Sequence, residues 1–184
     1  MAFITNIDYT ILQFIQGLRN PVMDKVFVFI TRLGDNGLIW LSLAIILLLF
    51  KKTRKCGITI IVGVALTFLL GDKIIKHLIA RDRPFLSYPL LPPAKLLIKA
   101  PTGYSFPSGH TASSFCAATA IFFHNKRFGA AAFCMAALIA FSRLYLYVHY
   151  PSDVLLGIIL GIGMCFITKI LIDYLYKVTK KSRI

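Results

Sequence analysis

The sequence contains no glutamate: all seven acidic residues of this 184-residue chain are aspartates, against 21 lysines and arginines. The resulting formal net charge of +14 could attract nucleic acid. The basic residues, however, lie in short segments between long apolar runs, where anionic lipid headgroups and membrane topology account for them better. We therefore expect no nucleic-acid partner and expect a lipid bilayer instead.

Paired cysteines are also absent. The four cysteines, at positions 56, 116, 134 and 165, each stand alone in an apolar stretch, and no Cys-x-x-Cys pair occurs. This distribution predicts neither a disulfide framework nor a zinc site. The amino terminus likewise lacks the basic segment and the small-residue cleavage site of a signal peptide, so we expect it to remain in the mature protein.

Long apolar runs make up most of the chain. Hydrophobic residues account for 58% of the sequence, and the mean hydropathy is +0.76, which is typical of a polytopic membrane protein. Five runs stand out, at residues 37–50, 57–70 with an extension to about 80, 111–123, 128–148 and 154–175. Because a helix needs about 20 residues to cross a bilayer, the first and third runs need flanking residues. The prediction is an all-α membrane helical bundle of five transmembrane helices, or six if the amino-terminal region inserts.

Residues 1–36 have the pattern of an amphipathic region. Apolar side chains recur at helical spacing, for example at Ile7, Ile11 and Phe14, beside polar ones that include Asp8. We predict an amphipathic helix at the membrane interface. The following stretch, 26–33, is either a short interfacial helix or the start of the first span. We expect residues 1–184 to form one membrane-embedded domain, with the chemistry in residues 76–153.

Short basic loops predict the orientation of the bundle. Basic residues follow the first, third and fifth runs: Lys51, Lys52, Arg54 and Lys55; Lys126 and Arg127; and Lys177, Lys180, Lys181 and Arg183. With five spans these loops share one side of the membrane, and the positive-inside rule makes that side cytoplasmic, together with the carboxyl terminus. The opposite, extracytoplasmic side has the one long loop, 85–106. Its prolines block regular helix, and it either only connects two spans or shapes a lipid entrance.

Three motifs on that extracytoplasmic side combine cations, histidines and a carboxylate. The first is Lys76 with Arg83-Pro84, a spacing of seven residues that is nearly two helical turns. On a continuing helix, Lys76 and Arg83 would project from the same face, and Pro84 would end the helix. The pair is either an anion site or two cations that extend toward the headgroups. Asp72 lies one turn before Lys76 and can balance its charge.

The second motif, Pro107-Ser108-Gly109-His110, comes directly before the apolar run at 111–123. Proline is favoured in a first helical turn, so the backbone N–H groups of Ser108, Gly109 and His110 would be free at the positive end of the helix dipole. A phosphate would fit there. Pro-Ser-Gly is also an ordinary turn and helix start.

The third motif consists of Ser142-Arg143, His149 and Asp153. Pro151 is a natural first-turn residue, so Asp153 can reach back to the residues before the helix, as in a capping box. A hydrogen bond from His149 to Asp153 would fix the histidine tautomer and leave the other ring nitrogen free to attack. The alternative is a capping aspartate beside an interfacial histidine.

Together, the motifs resemble the pattern of the type 2 phosphatidic acid phosphatase family, part of the vanadium haloperoxidase-like superfamily, and the compact chain resembles its bacterial integral-membrane members. That pattern is Lys, six residues, Arg-Pro; then Pro-Ser-Gly-His; then Ser-Arg, five residues, His, three residues, Asp, and every defined position is matched in order. The resemblance implies that His149 is the nucleophile, that Asp153 orients it and that His110 is the general acid. It also implies that the phosphate oxygens are held by Lys76, Arg83, Ser108, the Gly109 backbone and Arg143.

The expected function is therefore that of an integral-membrane lipid phosphatase working through a phosphohistidine. Phosphoryl transfer depends mainly on positioning and on dispersed positive charge, so we expect neither a metal nor another cofactor. Phosphatidic acid, phosphatidylglycerophosphate and undecaprenyl pyrophosphate all remain possible substrates. The alternative is a transporter or binding protein for phosphorylated lipids without hydrolysis, and the complete set of His149, Asp153 and His110 argues against it. The sequence does not indicate an oligomeric state.

Overall fold

The computed structural model describes residues 2–88 and 96–181, and all regular secondary structure within these ranges is helical. The helices are α1 (Ala2–Gly17), α2 (Pro21–Leu33), a 3-10 turn (Asp35–Gly37), α3 (Leu38–Leu49), α4 (Arg54–Phe68), a π-helical segment (Leu69–Ile75), α5 (Lys76–Ile79), α6 (Pro84–Ser87), α7 (Gly109–His124), α8 (Lys126–Tyr145) and α9 (Pro151–Lys181). The predicted all-α class is confirmed. Part of the predicted 85–106 loop, at residues 89–95, and Arg183 of the last basic group lie outside the described residues.

Side-chain caps set two of the helix starts. The Asn20 side chain accepts hydrogen bonds from the backbone N–H groups of Val22 and Met23, and Pro21 opens α2. Asn125 alone separates α7 from α8, and its side chain caps α8 in the same way. The chain therefore reverses direction between α7 and α8 within a single residue.

Helix α7 lies at the centre of the bundle, in contact with α4, α8 and α9. Its buried residues are mostly small, and the facing helix α9 has Gly161 at the closest approach. A Cβ atom at Gly161 would lie 2.2 Å from the carbonyl oxygen of Ala112, so only glycine permits this packing. The close packing fixes the position of the α7 amino terminus, where the second motif lies.

Within the described residues, three helical stretches are long and apolar enough to cross a bilayer: Arg54–Ser87, Lys126–Tyr145 and Pro151–Thr179. Helix α2 and the following stretch Asp35–Leu49 are long and apolar enough to cross a bilayer only when they are taken together, and they are bent by 47° relative to each other. Helix α7 has 16 residues, which is about 24 Å and shorter than the hydrocarbon core. The count of five or six spans therefore stays a prediction.

Helix α1 forms as predicted, and one of its polar side chains, Asp8, is directed into the protein. Asp8 is only 2% exposed and faces the protein together with the buried Leu12 and Ile15. Ile7 and Phe14 point outward, where a membrane protein meets lipid. Asp8 is enclosed because its carboxylate contacts Ser152 of α9 and Arg81, which follows α5.

Candidate active site

A cavity of about 620 Å³ opens between α3, α4 and the amino terminus of α7. Most of the predicted site residues line it, namely Lys76, Arg83, Gly109, His110, Arg143 and His149. Ser108 and Asp153 are completely buried and lie behind its wall. The three motifs, which are far apart in the sequence, therefore meet at one cavity.

His149 lies in the tight turn between α8 and α9 and is 2% exposed. Its Nδ1 atom is 3.4 Å from Oδ2 of Asp153 but forms no hydrogen bond within the described residues. The predicted hydrogen bond from His149 to Asp153 is therefore only a close contact here, and catalytic hydrogen bonds can shorten when substrate binds. The Nε2 atom of His149 is 3.3 Å from Nη1 of Arg83. Burial lowers the pKa of His149 to about 3, and the neighbouring Asp153 only partly opposes this effect. The ring is therefore neutral near pH 7, with its Nε2 lone pair toward the cation.

Both carboxylate oxygens of Asp153 accept hydrogen bonds from outside the His149 ring. Oδ2 accepts from the backbone N–H of Tyr150 at 2.8 Å, which is the reciprocal contact of a capping box, and also from the Ser105 hydroxyl. Oδ1 accepts from Nη1 of Arg81 at 2.8 Å. The predicted capping contact is present, and the additional donors hold the carboxylate in one orientation.

Two buried guanidinium groups face the cavity, and neither pairs with a carboxylate in the part of the chain that the structure describes. Arg83 donates to the carbonyl oxygens of Val148 at 2.9 Å and Gly103 at 3.0 Å. Arg143 donates to the Thr31 hydroxyl, and its Nε has no hydrogen-bond partner in the described part of the chain. Since a buried cation is costly unless it is paired, these groups indicate an anion site.

The predicted route by which Lys76 and Arg83 come together was wrong. Helix α5 ends at Ile79, and Ala80 takes a left-handed conformation with φ of 47°, so no helix continues to Arg83. The backbone at Arg83 is extended, with φ −78° and ψ 154°, immediately before the short helix α6. Both cations still reach the same cavity, and Lys76 forms the predicted ion pair with Asp72.

The second motif supplies fewer free donors than predicted. Ser108 is the N-cap of α7, and its backbone N–H donates to the carbonyl oxygen of Asp153 at 3.1 Å. Its hydroxyl oxygen accepts from Thr111 at 2.9 Å. The amide of Ser108 therefore joins two motifs to each other, and the helix end that faces the cavity consists of Gly109 and His110.

Several residues without any motif touch the site, and sequence reasoning missed them. Asp8 of α1 contacts Arg81 at 2.7 Å and accepts from the backbone N–H of Ser152 at 2.9 Å. From α2 and the 3-10 turn, Thr31 contacts Arg143, and Oδ1 of Asp35 lies 2.9 Å from Nε2 of His110. A lone aspartate or threonine has no spacing that links it to a motif, so the sequence held no signal for these contacts.

The arrangement defines a class of protein: a membrane-embedded helical bundle with buried cations and a helix amino terminus around a neutral, enclosed histidine. Such a site can hold a tetrahedral oxyanion and transfer it to the histidine nitrogen. The comparison with known proteins makes the assignment more specific. A sequence model of the PAP2 superfamily matches residues 52–177, and the chain belongs to this superfamily.

Several relatives in this superfamily are named as phosphatases, and the chain is a phosphatase of the same family. An undecaprenyl-diphosphatase of Sulfolobus acidocaldarius is 34% identical over 147 residues, which cover 79% of this chain and 69% of that protein. The crystal structure of a transmembrane PAP2-type phosphatidylglycerolphosphate phosphatase from Bacillus subtilis superposes with a TM-score of 0.78 at 27% identity, covering 95% of this chain and 88% of the other. Aquifex aeolicus LpxE gives a TM-score of 0.68 at 30% identity, covering 87% and 93%.

Proposed function

We propose that this protein is a metal-independent lipid phosphatase that works through a phosphohistidine on His149. The observation that carries the proposal is the placement of Arg83 and Arg143, both buried and without a carboxylate partner among the described residues, beside the Nε2 atom of a neutral histidine. Two fixed cations next to a nucleophile disperse the charge of a transferring phosphoryl group without a metal ion.

The reaction has two balanced halves. The Nε2 lone pair of His149 attacks phosphorus, and the bond from phosphorus to the lipid oxygen breaks. The electron pair of that bond stays on the leaving oxygen, which takes a proton from His110. Water then attacks the phosphohistidine and gives its proton to His110, while the electrons of the phosphorus–nitrogen bond return to His149 and phosphate leaves. Asp153 orients the His149 ring and favours its charged form in the intermediate.

A lipid substrate fits the remainder of the cavity. Beside the cations, its wall consists of apolar side chains of α3 and α4, including Leu41, Ile61 and Phe68. A phosphate held by Arg83 and Arg143 would thus place an attached hydrocarbon chain against an apolar surface within the bundle. Undecaprenyl pyrophosphate, phosphatidylglycerophosphate and phosphatidic acid all meet this requirement, and the first two match the names of relatives. The basic loops at the other ends of the spans support an active site on the extracytoplasmic face.

Phosphate release by the purified protein in detergent tests the proposal. A panel of the three lipids should yield inorganic phosphate in the presence of EDTA, and vanadate should inhibit as a phosphate mimic. His149→Ala should abolish turnover, while His124→Ala, at the opposite end of α7, should retain it. Lipid binding or transport without phosphate release would contradict hydrolysis, and loss of activity in EDTA would contradict metal independence.

A further inference from the structure

His110 has a carboxylate partner that belongs to none of the motifs. Asp35 opens the 3-10 turn between α2 and α3, and its Oδ1 atom lies 2.9 Å from Nε2 of His110. The two side chains are 55% and 21% exposed, respectively. The site therefore has a second histidine–aspartate pair in addition to His149 and Asp153.

The backbone around Asp35 is shaped to hold the His110 ring. A Cβ atom at Gly34 would lie 2.9 Å from Cδ2 of His110 and 2.9 Å from Cγ2 of Ile139, so the glycine backbone packs directly against the ring edge. Asn36 and Gly37 follow in left-handed conformations, with φ of 52° and 69°, which asparagine and glycine adopt most readily. A hydrogen bond of 3.0 Å from the Gly37 N–H to the Gly34 carbonyl closes the turn. The ring is thus held between a backbone and a carboxylate.

This geometry determines what the ring can do. Because Nε2 is engaged by Asp35, Nδ1 is the ring nitrogen left for the substrate. A carboxylate beside a histidine favours the charged imidazolium, which is the form that a general acid needs when the leaving oxygen departs. Burial lowers the pKa of His110 and Arg143 lowers it further, whereas Asp35 and Asp72 oppose this decrease. The cations Lys76 and Arg83 face the same cavity.

We propose that Asp35 is a positioning residue for the reaction: it fixes the orientation of His110 and favours the protonated ring that donates through Nδ1. The proposal rests on the role of His110 as general acid in the proposed function. Asp35 does not touch the substrate and acts only through His110.

Asp35→Asn tests this role, because the amide keeps the shape of the side chain and loses its charge. We expect kcat for a lipid phosphate to fall about 10- to 100-fold with KM little changed, and the alkaline limb of the pH profile to move to lower pH. Asp35→Glu should recover part of the activity. Hydrolysis of 4-nitrophenyl phosphate should fall much less, because nitrophenolate leaves without a proton. The matched control is Asp24→Asn, which changes a carboxylate of α2 that binds the Tyr145 hydroxyl.

A double-mutant cycle with His110→Ala separates positioning from a general structural effect. If Asp35 acts only through His110, Asp35→Asn should cost nothing further in the His110→Ala background. An equal loss in both backgrounds, or full activity of Asp35→Asn at an unchanged pH profile, would overturn the proposal. Full activity of His110→Ala would instead overturn the role of His110 on which the proposal rests. Gel filtration and thermal unfolding in detergent check that each variant is folded.

Discussion

The two histidine–aspartate pairs differ in how closely the protein encloses them. On the nucleophile side, His149 is 2% exposed and Asp153 is 0% exposed, and the carboxylate accepts hydrogen bonds from Arg81, Ser105 and Tyr150. On the acid side, His110 and Asp35 are 21% and 55% exposed. The enclosed pair comes from one motif, whereas the open pair joins a motif to the amino-terminal region.

This difference suits two different tasks. A nucleophilic histidine must be neutral and fixed in direction, and burial together with a locked carboxylate provides both. A group that donates a proton and then accepts one from water must exchange protons with solvent, and water must reach it for the second half of the reaction. We therefore interpret the contrast in exposure as a division of roles, and the following variants test each side.

The largest expected effect is on the enclosed pair. Asp153→Asn removes the charge that orients His149 and disrupts the contacts to Arg81 and Tyr150, so we expect kcat to fall about 10³- to 10⁴-fold. Phosphate release from a lipid phosphate measures this. The matched control is Asp173→Asn on the same helix, whose carboxylate pairs with Lys169 at 2.6 Å. A loss below tenfold would show that the nucleophile does not depend on its carboxylate.

Replacing Arg143 should have the next largest effect. Arg143→Met keeps much of the side-chain volume but removes a guanidinium that faces the cavity, and we expect a loss of about 100-fold in kcat/KM. Inhibition by vanadate should weaken in parallel, because the same cation would hold the mimic. Arg127→Met, at the other end of α8, is the control. Unchanged vanadate affinity would remove Arg143 from the anion site.

Asp8 offers a smaller perturbation of the enclosed pair, made from outside the motifs. It holds Arg81 at 2.7 Å, and Arg81 in turn holds Asp153 at 2.8 Å. Asp8→Asn frees one side of Arg81, so we expect kcat to fall by about tenfold, the lower end of the range for residues that hold a site's functional groups in place. Steady-state kinetics test this, with Asp82→Asn as an exposed control. If Asp8→Asn lowers kcat no further in the Arg81→Met background, Asp8 acts through Arg81.

The smallest expected effect is on stability and depends on pH. The pKa of His149 is lowered from 6.5 to about 3 by burial, so the unfolded chain binds a proton that the folded chain does not. This stability is fully present above pH 6.5 and is lost as the pH falls toward 3. Between pH 7 and pH 4.5, the unfolding temperature of the wild type should fall more than that of His149→Gln, by a few degrees on the order expected for this chain length. If the unfolding temperatures of both proteins fell equally with pH, the conclusion that the buried His149 ring is neutral would be contradicted.

The sequence predicted the catalytic side of the cavity better than its surroundings, for a physical reason. Arg143, His149 and Asp153 lie at fixed spacing across one helix–turn–helix connection, so their proximity follows from local geometry. Lys76 and Arg83 also reach the cavity, but through a helix end at Ala80, where nothing in an alanine indicates a left-handed backbone. The prediction that Lys76 and Arg83 come together was right, but the continuous helix that was expected to bring them together is not present.

The contacts made by the amino-terminal region could not be predicted in the same way. Asp8, Thr31 and Asp35 contact the site because α1 packs against α8 and α9, α2 packs against α8, and the 3-10 turn packs against α7. Such packing depends on the tertiary arrangement of the whole bundle. The amphipathic pattern of α1 indicated a helix, but it did not indicate that Arg81 and Ser152 would face Asp8. Isolated polar residues on apolar helices can therefore contact a functional site even where no motif includes them, and substituting them tests this.

Trapping the covalent intermediate tests the central claim most directly. Enzyme mixed with a lipid phosphate and quenched in alkali within the first turnover should contain a phosphopeptide with the phosphate on His149, as located by mass spectrometry. The same adduct should be absent from His149→Ala and should accumulate in His110→Ala if a leaving group that needs no proton is used. Phosphate on another side chain, or turnover with no phosphoenzyme at any time point, would contradict the account.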